Sequence, residues 1–471
     1  MTRNLTPEQQ NHLATLLPQG SLITEPADCE AYATDETREH HFLPDAVARV
    51  HTVEQVSAIL AYCNEQGIPV VPRGGGSGVS GGALAVNGGV ILCLNHMNRV
   101  LAINHRDMTC TVEVGKITGE LKAELREQNL WLPPDPGSAA WCRIGGNLAE
   151  AAAGPKSVKY GAFRNWVLNM EVVLPDGTVF WTGADVRKFA SGYNLTQLIL
   201  GSQGTLAVIT KAVFRLITPP TEENLLRVAF PTVEAAGETI CALFQAGLTP
   251  SEVEFLERDA VTIAAKAAGE PIDAAVGAYL WIGFDGNHAD QLLAEAETAA
   301  HIAEAQGASE TLFADTPTAM EKLCRLRKRV GTAVIEQTPF RDLDLTFPRG
   351  RLAEIVNLVK AVGREYGFES AIFGHAGDGN LHVNVLRNGL DNQTWNQSII
   401  PGIQKIYDHT IAIGGAPSGE HGLGMVTARY QPEGARKSDH HLAFLGNALA
   451  NSGILNPDKQ KTFIAKMGRP K

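Results

Sequence analysis

Pro72-Arg-Gly-Gly-Gly-Ser-Gly-Val-Ser-Gly-Gly82 carries the strongest fold signal in the chain. Six of its eleven residues are glycine. Without Cβ atoms, the backbone N–H groups can crowd against a ligand. A run of such groups forms a concave nest that suits a pyrophosphate-like anion. Ile68-Pro-Val-Val71 leads in and Gly89-Val-Ile-Leu-Cys-Leu94 follows. Both runs are apolar and β-branched, so the order reads strand, loop, strand.

That order excludes two nucleotide motifs. Gly76-Ser-Gly-Val-Ser-Gly81 matches the letters G-x-G-x-x-G, but that pattern must open a helix and have an acid about 20 residues on. Here a strand follows, and the stretch around His96 and Asn98 holds no acid. No G-K-[ST] closes the loop, so a Walker site is excluded too. Taken alone, the glycine run reads equally well as a flexible surface turn.

The 471 residues allow roughly two or three domains. Hydrophobic residues make up 44% and charged residues 19%, as in an ordinary globular enzyme. A net charge of −11 argues against a nucleic-acid partner, which needs concentrated Lys and Arg. Cysteines 29, 63, 93, 110, 142, 241 and 324 include no C-x-x-C pair. They read as reduced thiols of a cytoplasmic protein, not as a disulfide framework or an iron–sulfur site. The N-terminal residues lack a signal-peptide core, and no apolar run is long enough to cross a bilayer.

Along the chain, Thr6–Leu17 carries a helix-start signature. Residues 47–217 alternate short strands, helices and glycine turns, which predicts α+β or α/β packing. Asp176-Gly177 marks a hairpin within Met170–Trp181. Thr218-Pro-Pro-Thr reads as a linker. Beyond it, two β-α-β rounds predict a ferredoxin-like sheet covered on one face by helices: strands near 225–230, 252–256, 278–284 and 310–313, with helices near 233–245 and 288–306.

A second cluster is Ala371-Ile-Phe-Gly-His375-Ala-Gly-Asp-Gly-Asn-Leu-His382-Val-Asn384-Val385. Asp378-Gly379 predicts a turn that pairs the flanking strands and brings His375 toward His382. Alternation puts His382 and Asn384 on one face and Leu381, Val383 and Val385 in the core. Ser418-Gly-Glu420-His421-Gly-Leu-Gly424 frames an acid and a histidine with glycines. Two imidazoles and a carboxylate form a common metal set and suit zinc. His421 then remains as a base near neutral pH. A lone strand histidine is usually structural, but three such residues in two glycine-framed loops favour a site. The pairs His40-His41 and His440-His441 read as solvated surface.

Taken together, these motifs resemble the vanillyl-alcohol oxidase flavoproteins, and within them the FAD-linked D-2-hydroxy-acid dehydrogenases. That group includes D-lactate and D-2-hydroxyglutarate dehydrogenases and the glycolate oxidase catalytic subunit. The resemblance spans nearly the whole chain. It implies an α+β fold, with a bipartite FAD-binding domain of vanillyl-alcohol oxidase type and a ferredoxin-like cap domain. The expected boundaries are 1–217 for the FAD domain, 218–412 for the cap with its metal hairpin at 371–385, and 413–471 for a segment returning to the FAD domain. The FAD contacts it implies are Arg73, Gly74, Gly75, Gly76, Ser77, Gly78 and Ser80 in a pyrophosphate loop over 73–82. To these it adds Pro134, Asp135, Gly137, Ser138, Gly145, Asn147, Tyr160, Gly161, Gly204, Ile209 and Asn456.

By the same resemblance, His375, His382 and Glu420 bind a divalent metal, the first two also meeting substrate. Asn384 and Arg327 contact substrate, the arginine through its planar fork, and His421 takes the hydroxyl proton. The implied reaction passes the α-hydrogen to flavin N5 and yields a 2-oxo acid. The implied acceptors are a quinone, a cytochrome, an electron-transferring flavoprotein or an iron–sulfur protein, with a homodimer and a peripheral membrane location compatible. Departures from the family pattern are Cys324 for Trp, Gly283 for an acid and Thr427 for Lys. The lysine of dicarboxylate-handling members is missing before Asp342, where Arg341 is the available substitute. No histidine stands in the pyrophosphate loop, so the FAD is expected to be non-covalent. Two other readings stay open: a zinc hydrolase, and a metal-free FAD oxidase of a sugar or ether lipid.

Overall fold

The computed structural model describes residues 5–38, 40–430, 453–457 and 459. The His440-His441 pair lies outside them. The chain divides into two compact units. One comprises Met1–Ala152, Ala162–Pro219 and Glu420–Lys471; the other comprises Ala153–Gly161 and Pro220–Gly419.

In the first unit, Thr6 caps helix Pro7–Thr15 with a reciprocal capping box. Strands β1 (Leu22–Ile23), β2 (Ala46–Arg49), β3 (Val70–Arg73) and β4 (Val90–Cys93) form a sheet in the order β1-β2-β4-β3. β3 and β4 are parallel neighbours, and the glycine run forms the loop between them. The strand–loop–strand reading therefore holds. A second, antiparallel sheet has the order β5-β6-β9-β7-β8. Its strands are β5 (Val100–Asn104), β6 (Thr109–Glu113), β7 (Val167–Val173), β8 (Val179–Trp181) and β9 (Val208–Arg215). Asp176-Gly177 turns β7 into β8, with Gly177 at φ +86°. Leu455 bridges to Val70 in parallel, which ties the C-terminal segment to β3.

The second unit is built on one antiparallel sheet of seven strands, ordered β13-β10-β12-β11-β15-β16-β14. They are β10 (Glu222–Phe230), β11 (Glu252–Glu257), β12 (Ala278–Gly286), β13 (Glu310–Ala314), β14 (Phe340–Thr346), β15 (Glu369–Gly374) and β16 (Asn380–Leu386). The first four strands take the ferredoxin-like order. Leu226, Val228, Leu280 and Ile282 are buried on the face where Asn224 donates to Leu292 of helix Ala289–Ala305.

The other face is covered as well, which corrects the one-sided expectation. Helices Arg258–Ala268 and Pro317–Gln337 press Val261, Ala264, Leu326 and Val330 onto Leu256, Trp281 and Phe373. Two short segments also fold elsewhere than the sequence suggests. Residues 153–161 join the second unit because Val158 packs on Gly377 and Lys159 pairs with Asp285. Residues 413–419 do so because Ala416 bridges to Thr346 and Gly419 binds Asp344.

Candidate functional site

In the first unit, the glycine loop leaves β3 at Arg73, whose guanidinium turns inward. Nη2 donates to the carbonyl of Thr34 (2.8 Å), and Nη1 to those of Ala83 (3.2 Å) and Tyr32 (3.4 Å). Gly76 crosses above it at φ +70°, where a Cβ would lie 2.3 Å from Nη2. Arg73 thus braces the loop from beneath. At Gly78, Gly137 and Gly146, by contrast, an added Cβ would meet nothing within 4 Å. Ser80 is 2% exposed, and its Oγ has no hydrogen-bond partner among the described residues. Asn456 Nδ2 stitches the carbonyls of Gly82 (3.0 Å) and Gln203 (2.8 Å), while its buried Oδ1 has no partner among the described residues.

The histidine hairpin β15–β16 lies between β11 and the edge strand β14 of the second unit's sheet. β15 and β16 pair Phe373 with His382, and β16 and β14 pair His382 with Asp344 and Asn384 with Asp342. Gly379 makes the turn at φ +71°, where a Cβ would lie 2.1 Å from the Phe347 carbonyl. The His375 and His382 rings meet edge to face at 5.3 Å. Both residues are buried.

His375 Nδ1 lies 2.6 Å from Glu254 Oε1. Glu254 Oε2 accepts from Arg327 Nε at 2.6 Å, and Arg327 Nη2 closes the same ion pair. Burial opposes ionisation of Glu254, but Arg327 and His375 outweigh it and hold the carboxyl down to about 2. Beside them, Asp344 Oδ1 lies 3.9 Å from His382 Nδ1 and accepts from Asn380 Nδ2 (2.8 Å). Its Oδ2 accepts from Ser418 Oγ and the Gly419 amide, both at 2.8 Å. Asn384 Nδ2 donates to Asp342 Oδ1 (2.7 Å). The hairpin therefore presents two imidazoles, each backed by a buried carboxylate.

Residues 44–183 match the FAD binding domain family, and residues 219–459 match the C-terminal domain of the FAD linked oxidases. The chain belongs to the FAD-linked oxidases. Among relatives, it is 32% identical over 437 residues to a D-lactate dehydrogenase of Anaerostipes hadrus, covering 91% of this chain and 92% of that one. It is 31% identical over 437 residues to the glycolate oxidase subunit GlcD of Bacillus subtilis, covering 91% of each. It is 30% identical over 461 residues to a D-2-hydroxyglutarate dehydrogenase of Stutzerimonas stutzeri, covering 95% of this chain and 98% of that one. In fold it is similar to p-cresol methylhydroxylase, with TM-score 0.78 at 17% identity and 97% of both chains covered. An alkyldihydroxyacetonephosphate synthase gives TM-score 0.72 at 18% identity, with 96% of this chain and 85% of that one covered. The vanillyl-alcohol oxidase-type architecture follows, and so does an FAD-linked oxidoreductase. Membership in this family also sets the hydrolase reading aside.

The glycine loop of this FAD-linked oxidase fits its cofactor. Gly78 and Gly146 leave room that a side chain would fill, and Ser80 Oγ is a buried hydroxyl with no partner among the described residues. Other expected contacts have structural work. Gly145 N donates to the Val114 carbonyl (2.8 Å), and Asn147 Nδ2 to Thr118 Oγ1 (2.5 Å). Lys122 binds the Pro134 carbonyl (3.0 Å) and Asp135 (2.5 Å), and the Ser138 carbonyl accepts from the Trp141 and Cys142 amides. Gly204 packs on Pro72 at φ +65°, and Ile209 is buried within β9. Tyr160 and Gly161 fold with the second unit, where the Tyr160 hydroxyl donates to Asp285 (2.7 Å).

Arg341 does not replace the missing lysine. It points to the opposite face of β14 from Asp342, where it donates to the Trp395 carbonyl (2.5 Å) and to Asn396 (3.0 Å). Gly283, the position lacking an acid, lies under the Glu252 side chain of the neighbouring strand.

Two further acids emerge only in three dimensions. Glu254 is one; alternation in Glu252-Val-Glu-Phe-Leu256 was its available signal, because it sets Glu252 and Glu254 on one face, opposite Val253 and Phe255. The other is Glu150, the last residue of helix Ile144–Glu150. Gln203 Nε2 donates to it at 2.9 Å. Burial pushes its carboxyl up to about 7 against the opposing pull of Gln203, Lys459 and His421.

Proposed function

We propose that this FAD-linked oxidoreductase converts a D-2-hydroxy acid to its 2-oxo acid. The observation that carries the reading is the hydrogen-bonded chain His375–Glu254–Arg327 beside His382, which supplies metal-ligand and carboxylate-binding chemistry on one sheet face. The names of the 30–32% identical relatives support the same substrate class.

In this reading, His375 and His382 hold a divalent cation, with zinc favoured by the donor set. Glu420, the residue after the anchored Gly419, supplies the carboxylate. A cation held there would lower the pKa of the substrate hydroxyl. The Glu254 carboxylate orients His375 through Nδ1, as outer carboxylates do for ligating imidazoles. Arg327 has its Nε edge committed to Glu254, so the expected pairing with the substrate carboxylate falls to its Nη1 end. Asn384, held by Asp342, orients the substrate, and His421 accepts the hydroxyl proton. FAD, held without a covalent bond by the loop at 73–82, supplies the acceptor for the hydride. A quinone, cytochrome, electron-transferring flavoprotein or iron–sulfur protein would take the electrons.

The test is anaerobic mixing of the purified full-length protein with D- and L-lactate, D- and L-2-hydroxyglutarate, and glycolate, with and without a chelator. Bleaching of the flavin band by a D-acid or glycolate, lost on chelation and restored by zinc, is expected. A preference for L-isomers would overturn the stereochemical assignment, and full activity after exhaustive chelation would overturn the metal.

A further inference from the structure

We propose that Glu150 and Gln203 form a positioning pair for the proposed base. They hold the backbone of the His421–Met425 loop against the glycine loop. The inference rests on the reading of His421 as that base.

All the parts lie in the first unit. Helix Ile144–Glu150 stops at Glu150 because Ala151 turns into the left-handed region at φ +54°. Glu150 Oε2 accepts from Gln203 Nε2 at 2.9 Å. Gln203 is itself left-handed at φ +55°, a conformation that costs a non-glycine residue energy and persists where surrounding contacts enforce it. Its Oε1 accepts from the Gly424 amide at 3.3 Å. Gly422 passes directly over the pair. A Cβ on it would lie 2.0 Å from both Glu150 Oε2 and Gln203 Nε2.

The glycine loop closes the arrangement from the other side. A Cβ on Gly82 would lie 2.7 Å from Glu150 Oε1, and the Ser80 carbonyl accepts from the Met425 amide at 2.9 Å. Three segments distant in sequence thus converge on one carboxylate. The charged and titratable groups that act on it are Lys459, His421 and Asp35. A carboxylate suits this place because it accepts from the Gln203 amide while a backbone without side chains packs over each of its oxygens. A base whose loop shifts by a fraction of an ångström loses its line to the proton it must take.

The experiment uses full-length, FAD-loaded protein and the variants Glu150→Ala, Glu150→Gln and Gln203→Ala. Amide hydrogen exchange is followed in the peptide spanning Gly422–Met425. Flavin bleaching is followed against the concentration of the best 2-hydroxy acid. In Glu150→Ala and Gln203→Ala, exchange in that peptide should rise at least about ten-fold while FAD content is kept. The limiting bleaching rate of Glu150→Ala should fall roughly 100-fold, with the half-saturating concentration unchanged within about two-fold. Glu150→Gln keeps an acceptor for Gln203 and should restore protection of the loop. Unchanged exchange in Glu150→Ala, a rise spread evenly over the first unit, or failure of Glu150→Gln to restore protection would overturn the proposal. If no 2-hydroxy acid bleaches the wild-type flavin, the functional reading fails instead, and the exchange measurement alone decides the clamp.

Discussion

His375 Nδ1 and Glu254 Oε1 lie 2.6 Å apart inside the second unit. A carboxylate on Nδ1 keeps the proton there and leaves Nε2 as the electron-pair donor, which a metal ligand requires. Glu254→Gln should therefore weaken zinc binding roughly 10–100-fold. Competition with a chromogenic chelator measures this directly. Unaltered zinc affinity would remove Glu254 from the site.

Arg327 is the counter-charge that keeps Glu254 ionised, and Glu254 is 2% exposed. Arg327→Met strands a buried anion, which costs about 3–5 kcal/mol at pH 7. The sign with pH follows from the depressed carboxyl. In the wild type, the stabilisation is present above the ordinary carboxylate range and is lost as pH falls toward about 2. In the variant, the stranded acid escapes its penalty by taking up a proton. The stability gap should be smaller at pH 4 than at pH 7, and urea unfolding at the two values checks it. A gap independent of pH would mean that Glu254 is not the group left unpaired.

Gly78 and Gly424 separate cofactor binding from folding. A Cβ at Gly78 meets nothing within 4 Å, whereas one at Gly424 would lie 1.9 Å from the Ser80 carbonyl. Gly78→Ala should fold with an unchanged melting temperature yet retain less FAD, read from the ratio of visible to ultraviolet absorbance. Gly424→Ala should lower stability even without FAD. Ser80→Ala should weaken FAD by about ten-fold, the worth of one hydrogen bond to a charged group. Full FAD retention by both Gly78→Ala and Ser80→Ala would place the cofactor elsewhere.

The residues that could be found in the sequence were those whose chemistry is local. The glycine loop announced its strand-to-strand setting through flanking β-branched runs. Asp378-Gly379 forecast the turn that brings His375 to His382, and alternation placed His382 and Asn384 on one face. The residues missed depend on neighbours distant in the chain. Glu254 matters because of a helix residue 73 positions on and a hairpin residue 121 positions on. Arg341 looked available until its strand turned it to the far side, toward Trp395. Helix Arg258–Ala268 hid because its apolar face is mostly alanine, which announces burial weakly.

Glu150 offers the clearest pH signature. Its carboxyl is pushed up to about 7 by burial, above the usual 4.5. Between those values, the folded protein holds a proton that the unfolded chain has released. Stability therefore falls as pH rises through that window and levels off above it. The residue is partly exposed, which discounts the full effect to about 2 kcal/mol. Glu150→Gln cannot ionise and escapes this loss. Its unfolding free energy relative to wild type should rise by about that amount from pH 4.5 to pH 8, while the Gln203 hydrogen bond is kept. Denaturant titrations of both proteins across the range decide the matter. Parallel stability curves would show that the carboxyl is ionised at ordinary cost, through fuller compensation by Lys459 and His421.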